Sequence, residues 1–371
     1  MSSRPRAIDL SAGIGPAYAA KLLAEVGWDV VKLERPDGDP SRMQESRWGG
    51  GAGGAFAFAN YGKRGVVAPD RGTLEAIVRA ADVAIGDFSA QGAAGSPIQS
   101  ADFEKLEPRL AMASLSAFGL TGPRAGWAAS EMVVQAASGL MFLTGEWDQP
   151  PMQLPPYAAA VTGGIAAAAA TLAAVRAARK DGHPRRVDVS MVEAMAAHTY
   201  QATTRYVYRG QVMRREQRVK QALRMVPASD RFVYCAPGAV ANVDMKGVAR
   251  LIDVPELAEE RFQTAQGRME NWGEFVDLFV PPFARKTAQQ WFEEAEALDL
   301  TFALVQTIDD LFACPQLGAR AFFRDVPGPD GAPVRIPGRP FRLEDGQPGA
   351  SRRAPAYPGE HTEEVLREWL A

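Results

Sequence analysis

The sequence has little cysteine and no excess of positive charge. Its 371 residues include two cysteines, Cys235 and Cys314, with no partners at metal-ligand spacing, so we expect thiols in a reducing compartment rather than a disulfide. Lysine and arginine number 41 against 44 aspartates and glutamates, which argues against a nucleic-acid or membrane-surface partner. The start, MSSRPRAIDL, has no apolar run of signal-peptide length, and we therefore expect a cytoplasmic protein.

One long hydrophobic run carries no charge, from Ala158 to Val175. It is rich in alanine and about as long as a membrane-spanning helix, which needs about 20 apolar residues. Alanine and glycine contribute little transfer free energy, however, and Thr162 and Thr171 interrupt the run. We therefore predict a buried helix rather than a membrane span, in which small side chains let a neighbouring backbone or a ligand approach closely.

The first part of the chain alternates between strand and helix patterns. Short apolar segments typical of strands are followed by segments with helical spacing, and Gly27 ends the first of these helices. The segments typical of strands are RAIDLS, WDVVKLE, NYGKRGVVA, DVAIGDF and RLAMASLSAFG. Strand–helix–strand units of this length predict parallel strands with right-handed crossovers, and hence an α/β fold with a doubly wound sheet.

The domain organisation is predicted from where this alternation stops. Residues 1–205, mostly helical after residue 130, are predicted to form most of a large domain. A basic linker follows at 206–226, and so short a run does not by itself indicate nucleic-acid binding. Residues 227–320 combine strand patterns with amphipathic helices and predict a smaller α+β domain. The last part, 321–371, contains a strand pattern, a loop and a final helix.

Seven sequence blocks resemble the family III CoA-transferases, also called the CaiB/BaiF family, in the order typical of that family. The first runs from Ala12 to Arg42, and the others are NYGKRGVV, ADVAIGDF, ASLSAFGLTGP, VVQAASGLMFLTG, VDVSMVEA and APAYPGEHTEEVL. The resemblance covers essentially the whole chain. It implies a Rossmann-like large domain to which residues 321–371 return, a small domain inserted into it, and an interlocked dimer.

The resemblance also implies a site for coenzyme A, as a thioester substrate rather than a covalently bound cofactor, and no metal. Such a site needs cations for the phosphates and an apolar channel for the pantetheine arm. Arg35 matches the family position at the nucleotide end, and Phe88 matches an aromatic residue near the adenine. The residues expected to bind CoA are Arg35, Lys63, Arg64, Arg71, Asp87 and Phe88.

Three positions depart from the family pattern around this site. Asp87 stands where the family commonly has asparagine, and an acid is unfavourable beside phosphate. Gly95 or a neighbour stands where an arginine is often found, and Gly13 stands where one branch has a glutamine that positions the reacting groups. We therefore expect CoA binding that is weak, altered or directed at a different thioester end.

The family nucleophile is absent from this sequence. In the family an aspartate attacks the acyl-CoA and gives a mixed anhydride and then an enzyme-bound thioester, which is covalent catalysis. Its position corresponds to Ala160, or to Ala159 with a one-residue slip, and neither is an acid. The nearest carboxylates in sequence, Asp148 and Asp188, belong to other blocks. We therefore expect that this chain alone does not follow the covalent route.

Proton transfer by the histidine–aspartate pair of the racemase branch is also excluded, because those positions are Ser130 and Ala160. The three histidines of the chain, His183, His198 and His361, are expected to be structural. Glu131 is the remaining acid in a family-like position. It is either a general base or a buried carboxylate that accepts hydrogen bonds from backbone amides.

Four interpretations remain open at the level of sequence. The first is the subunit without the nucleophile in a CoA-transferase, acting on a CoA thioester and a small carboxylic acid in a homodimer or in a heterodimer with a catalytic paralogue. The second is a stand-alone acyl-CoA enzyme with non-covalent chemistry, such as a dehydratase, lyase or isomerase. The third is a non-catalytic CoA-thioester binding protein. The fourth is an aspartate deliberately changed to alanine.

Overall fold

Two compact units make up the computed structural model, which describes residues 4–43, 53–93, 96–98, 102, 106–107, 110–215, 225–235, 243–327, 332–343 and 352–371. The large unit comprises Met1–Gly145, Pro151–Arg214 and Leu317–Ala371, and the small unit comprises Glu146–Pro150 and Arg215–Gln316. The domain boundaries predicted above stay a prediction, since compactness does not test which parts fold independently. Of the basic linker, residues 216–224 lie outside the described residues.

A parallel sheet of six strands forms the centre of the large unit within the described residues, so the prediction of an α/β fold with parallel strands is confirmed. The order is β3-β2-β1-β4-β5-β6, and the bounds are β1 Arg6–Asp9, β2 Asp29–Leu33, β3 Arg64–Val66, β4 Val83–Gly86, β5 Ala111–Ser116 and β6 Arg186–Ser190. Ile8 pairs with Val31 on one side and with Ala84 on the other. The strand order reverses between β1 and β4, and in such sheets ligands bind in the crevice at the carboxyl ends of the strands.

Helices connect these strands. Their bounds are α1 Ile14–Glu25, α2 Gly54–Asn60, α3 Arg71–Arg79, α4 Ala90–Ala93, α5 Glu131–Ala137, α6 Leu140–Leu143, α7 Ala158–Asp181, α8 Met191–Ala196, α9 Tyr200–Arg209 and α17 Thr362–Trp369. Every residue of α1 is buried, and α1 packs against α7. A Cβ atom on Gly164 of α7 would lie 2.9 Å from the carbonyl oxygen of Gly15. The two helices therefore approach closely because this position is glycine.

Helix α7 contains the hydrophobic run noted in the sequence. It is long and apolar enough to cross a membrane by length and composition, and half of its most apolar window is buried. Core helices of soluble proteins have the same property, and α7 packs on α1, β5 and β6. Its buried residues include Ala160, Gly163, Gly164 and Ala167, so the packing is that of a core helix.

The C-terminal part of the chain adds a hairpin and a helix to the large unit. The hairpin pairs β10 Phe323–Pro327 with β11 Pro333–Pro337 in antiparallel fashion. The indole Nε1 of Trp369 in α17 donates to Asp29 Oδ2 at 2.7 Å. Arg64 of β3 also pairs with Glu364 and Glu368 of α17, at 3.2 and 2.6 Å. These contacts hold the last helix against the N-terminal strands.

The small unit has a sheet and a helical core of its own. Its strands, β7 Met225–Pro227, β8 Phe232–Cys235 and β9 Phe302–Leu304, form an antiparallel sheet. Its helices are α10 Met245–Leu251, α11 Glu260–Gln263, α12 Ala265–Glu270, α13 Trp272–Phe279, α14 Ala288–Ala297 and α15 Ile308–Ala313, and α16 Pro315–Ala319 crosses the division between the units. Phe279 and Phe283 are fully buried, with ring centroids 5.1 Å apart. Six of the 18 buried residues described in this core are aromatic, and side chains of this size bury large apolar areas.

Candidate functional site

The candidate site lies at the carboxyl edge of the parallel sheet. Ser11 and Gly13 follow β1 and precede α1, and Asp87 and Phe88 follow β4. These two strands are the neighbours at which the sheet order reverses, so both segments reach the crevice in which doubly wound folds bind ligands. Gly13 has an extended backbone, with φ of −179°, and a side chain there would meet no atom within 4 Å. Gly95 lies outside the described residues.

Ala160 lies in the first turn of α7 and is 7% exposed. Tyr157, which precedes this helix, has a positive φ of 66°, an uncommon conformation for a residue with a side chain. Ala160 belongs to a buried apolar cluster with Ile14, Ala17, Ala55, Ala59 and the partly buried Tyr157. At the position of the expected nucleophile this chain therefore presents hydrocarbon.

Glu131 accepts hydrogen bonds from the first turn of α7. Its Oε1 accepts from the backbone N–H of Ala159 at 2.6 Å, and its Oε2 accepts from that of Ala160 at 3.2 Å. The first N–H groups of a helix have no partner within the helix and carry partial positive charge, so a carboxylate is well placed there. These hydrogen bonds are the ones required by the second role considered for Glu131 above, although the residue is half-buried rather than buried. The general-base role stays a proposal.

Gln135 holds Glu131 in place. It lies one helical turn further along α5 and is 1% exposed. Its Nε2 donates to Glu131 Oε1 at 2.9 Å, and its Oε1 accepts from the N–H of Leu154 at 2.8 Å. The sequence analysis did not identify this residue. The four-residue spacing from Glu131 was the available signal, because residues i and i+4 are neighbours on a helix.

Arg35 and Arg71 line one cleft in the large unit. The cleft has a volume of about 390 Å³, and its lining residues are Leu33, Glu34, Arg35, Pro36, Ala68, Asp70, Arg71, Leu74, Ser96 and Pro97. Arg35 Nε lies 3.1 Å from Asp37 Oδ1, and Arg71 Nε lies 3.1 Å from Glu75 Oε1. Both arginines have exposed side chains. The structure thus brings together two of the cations predicted from the sequence.

Lys63 is not part of this cleft. It is fully buried, and its ammonium group donates to Asp9 Oδ2 at 2.6 Å, to the carbonyl of Ala17 at 2.7 Å and to Asn60 Oδ1 at 2.8 Å. A lysine ammonium has three N–H donors, and all three are used. Lys63 therefore joins β1, α1 and α2 and has no donor left for a phosphate.

Arg64 is also buried and away from the cleft. Its guanidinium lies 2.5 Å from Asp29 Oδ2, in addition to the contacts with α17 described above. Three carboxylates around one guanidinium make it a structural centre. The block NYGKRG thus places both of its cations inside the protein, in contrast to the phosphate contacts expected from the sequence.

Asp87 and Phe88 lie side by side at the end of β4. Burial raises the pKa of the Asp87 carboxyl, which accepts the Ser89 N–H at 2.9 Å. The Phe88 ring lies next to Gly86 and Leu10: a Cβ on Gly86 would meet its Cε1 at 3.1 Å. The ring is partly buried against the core under the sheet.

Ser130 and the three histidines lie at separate places in the fold. Ser130 Oγ accepts from the N–H of Val133 and begins α5. His183 lies in an exposed turn after α7, and His198 is exposed in the turn before α9. His361 belongs to the segment that precedes α17 and contacts β3. Within the ranges that the structure describes, no group of three or more His, Cys, Asp or Glu side chains is arranged to hold a metal ion.

Comparison with known proteins points in one direction. The chain is 28% identical over 387 residues to a succinate–glutarate CoA-transferase of Agrobacterium fabrum, covering 98% of this chain and 94% of the relative. It is 27% identical to the BbsE subunit of a succinyl-CoA:(R)-benzylsuccinate CoA-transferase of Thauera aromatica, covering 99% and 93%. The fold is similar to that of a CAIB/BAIF family protein from Brucella suis, with a TM-score of 0.87, 24% identity and 98% of both chains covered. The sequence profile of CoA-transferase family III matches residues 5–362, and the chain belongs to this family.

Proposed function

We propose that this chain is the subunit without the nucleophile in a heteromeric CoA-transferase, and that it acts on a CoA thioester and a small carboxylic acid with a catalytic paralogue. The observation that carries this proposal is that residue 160, in the first turn of α7, has only a methyl group as its side chain and packs with other apolar residues. The nearest family-like carboxylate, Glu131, is engaged by the N–H groups of that turn. A related protein, BbsE, is by its name a subunit of a CoA-transferase, which supports the same assignment.

For the CoA site we propose the cleft with Arg35 and Arg71, together with the ring of Phe88. Two exposed guanidinium groups beside one cleft suit the phosphates of CoA. Lys63 and Arg64 are left out of this proposal, because their donors are engaged inside the protein. Asp87 is kept only as the neighbour of Phe88, and burial raises the pKa of its carboxyl.

The proposed partner covers surfaces that this chain leaves exposed. Helix α9 has no buried residue. Its large side chains are exposed even where they are apolar: Tyr206, Val207 and Tyr208 are 59–82% exposed. On α7, Ile165 and Leu172 are also exposed, at 48% and 38%. Several large apolar side chains exposed along one helix are typical of a protein–protein interface. We propose an interlocked dimer with the paralogue in the cytoplasm.

The proposal is tested by acyl capture in the purified chain. The chain alone and the chain with its paralogue are incubated with succinyl-CoA and then with hydroxylamine. Hydroxylamine attacks the activated side-chain carbonyl of an enzyme-bound anhydride or thioester, which releases the acid or CoA and leaves a stable hydroxamate on the protein. Mass spectrometry is expected to find the modification on the paralogue only. A modified side chain on this chain overturns the proposal, and so does full CoA-transferase activity of a homodimer without a paralogue.

Replacement of Ala160 with aspartate is expected to create acyl capture in this chain. The first turn of α7 keeps its amide partners in Glu131, and its N-terminal dipole favours an added carboxylate. We expect the fraction of chain modified in the hydroxylamine experiment to rise on the order of tenfold or more above the unmodified sequence. An unchanged background in folded A160D contradicts the assignment of position 160.

The matched control is Ala159→Asp. Ala159 is fully buried and packs in a different cluster with Val134 and Met195. An aspartate at either position enters an apolar cluster and is expected to lower the melting temperature, more so at the fully buried position 159 than at position 160, which is 7% exposed. A159D is expected to capture no acyl group. Capture by A159D and not by A160D would move the assignment by one residue.

Replacement of Arg35 and Arg71 with glutamine is expected to weaken CoA binding. A charge-assisted hydrogen bond contributes about 1.5–3 kcal/mol, so each substitution is expected to raise the Kd for CoA by about tenfold or more, measured by calorimetry. Arg335→Gln is the control, because Arg335 lies in the exposed β10–β11 hairpin and pairs with Asp325. Equal affinity in all variants contradicts the cleft assignment.

A further inference from the structure

The segment before α17 pairs with the outer edge of the sheet through a histidine. The N–H of Gly65 donates to His361 Nδ1 at 3.1 Å, and the N–H of His361 donates to the carbonyl of Gly65 at 2.9 Å. Gly65 is the middle residue of β3, which is the last strand on its side of the sheet. The imidazole thus accepts from a backbone N–H that faces away from the neighbouring strand β2.

This hydrogen bond exists in only one charge state of the imidazole. In neutral histidine one ring nitrogen is an acceptor, whereas in the imidazolium both nitrogens carry hydrogen and neither accepts. With Nδ1 as the acceptor, the proton of the neutral ring is on Nε2. Protonation of Nδ1 would place two N–H groups against each other at Gly65 and leave the backbone N–H without this acceptor.

Other contacts on the same segment do not titrate near neutral pH. Thr362 Oγ1 accepts from the N–H of Val67 at 3.2 Å, and a Cβ on Gly65 would lie 2.7 Å from Pro355 Cβ. The charged groups that act on the imidazole are Glu360, Glu364, Arg352 and Arg353 from its own segment and helix. From β3, the guanidinium of Arg64 reaches Glu364 at 3.2 Å.

The segment also supports a wall of the cleft. The Nη1 of Arg42 donates to the carbonyls of Pro355 and Ala356, at 3.0 and 3.1 Å. The same guanidinium donates to both carboxylate oxygens of Glu34, at 2.7 and 2.6 Å. Glu34 lines the cleft together with Arg35. Displacement of the segment would therefore remove two of the acceptors that fix Arg42 behind this wall.

We propose that His361 is a proton-sensitive latch: as a neutral imidazole it holds residues 352–361 on β3 and steadies the wall of the cleft, and its protonation releases this segment. Burial lowers the pKa of His361 below its ordinary value of 6.5. For a histidine with a lowered pKa, the unfolded or released state binds more protons, so the stabilisation is present above pH 6.5 and decreases as the pH falls below it. The link to ligand binding rests on the proposed CoA site.

Hydrogen exchange of the full chain tests the latch without any ligand. Exchange of the peptides that contain Gly65 and residues 352–361 is measured at pH 7.5 and 5.5, after correction for the intrinsic pH dependence of exchange. Protection in the unmodified chain is expected to fall several-fold, and at most about tenfold, at pH 5.5. Equal protection at both pH values overturns the proposal.

Two variants assign the effect to His361. Asparagine has a side-chain acceptor that does not titrate in this range, so H361N is expected to remain protected at both pH values. The chain has three histidines, and the double variant His183→Asn with His198→Asn leaves His361 as the single imidazole. This double variant changes exposed residues and is expected to retain the full pH response. Loss of the response in it overturns the proposal.

Calorimetry with CoA at the same two pH values tests the link to the cleft. Affinity is expected to fall several-fold more in the unmodified chain than in H361N, since titration of the CoA phosphates is common to both. If the segment is released at pH 5.5 but the affinity for CoA falls equally in the unmodified chain and in H361N, the link between His361 and the cleft is overturned. The proposed function is unaffected by that result. Absence of CoA binding at pH 7.5 contradicts the proposed CoA site, while the exchange experiment still decides the latch.

Discussion

Replacement of Asp9 with alanine is expected to lower the free energy of unfolding by about 3–5 kcal/mol, the cost of leaving a buried charge without its partner. Asp9 is fully buried at the end of β1. Its Oδ2 lies 2.6 Å from Lys63 Nζ, and its Oδ1 lies 3.8 Å from Lys32 Nζ. Burial by itself raises the pKa of Asp9, but the charges of Lys32 and Lys63 outweigh this effect and lower the pKa to about 2. Chemical denaturation at pH 7 measures the loss.

A second substitution separates the charge from the packing. In the Asp9→Ala background, Lys63→Met removes the unpaired cation and is expected to restore part of the lost stability. Asp325→Ala is the comparison at the surface, where both partners of the Asp325–Arg335 pair are more than half exposed and little change is expected. An Asp9→Ala chain as stable as the unmodified one would show that this ion pair contributes nothing.

Replacement of Gly164 with valine is expected to lower the free energy of unfolding by about 2–3 kcal/mol. Valine at a helix position is favoured over glycine by a few tenths of a kcal/mol at most, whereas overpacking of a core contact typically costs about 1–3 kcal/mol. The added Cβ would lie 2.9 Å from the backbone oxygen of Gly15 and 3.0 Å from the Tyr18 ring. The Gly15 carbonyl belongs to the backbone and cannot relieve the contact by changing rotamer, as a flexible side chain can. The cost of the clash is therefore expected to exceed the gain in helix propensity.

Gly273→Ala is the matched control for Gly164→Val. Gly273 lies in helix α13, and a Cβ there meets no atom within 4 Å. Alanine is expected to raise the free energy of unfolding by about 0.5–1 kcal/mol through helix propensity alone. If both substitutions shift the melting temperature in the same direction, close packing of α1 on α7 is not what requires glycine at position 164.

The α/β architecture was predictable because its signal is local. The segments RAIDLS and DVAIGDF correspond to β1 and β4, which are among the buried strands, and apolar runs bounded by helical patterns are typical of parallel strands. The block NYGKRGVVA was predicted as a full strand, whereas β3 covers only Arg64–Val66. The short pairing with β2 and the contacts with α17 limit this strand, and both depend on residues distant in sequence.

The candidate site was predictable only in part, for a related reason. Arg35 and Arg71 line one cleft, whereas the sequence alone does not distinguish a buried lysine such as Lys63 from a lysine on the surface. Its partner Asp9 is 54 positions away, so its burial follows from the tertiary fold. The two roles of Glu131 likewise differed only by its distance to the N–H groups of α7.

The pairing of residues 361–362 with β3 has a consequence for how molecules of this protein behave at high concentration. The outermost strand of an open sheet presents unpaired backbone groups that invite a strand from a neighbouring molecule. Here the outward N–H groups of Gly65 and Val67 are already occupied by the side chains of His361 and Thr362. The C-terminal segment therefore hinders edge-to-edge polymerisation of the sheet between molecules.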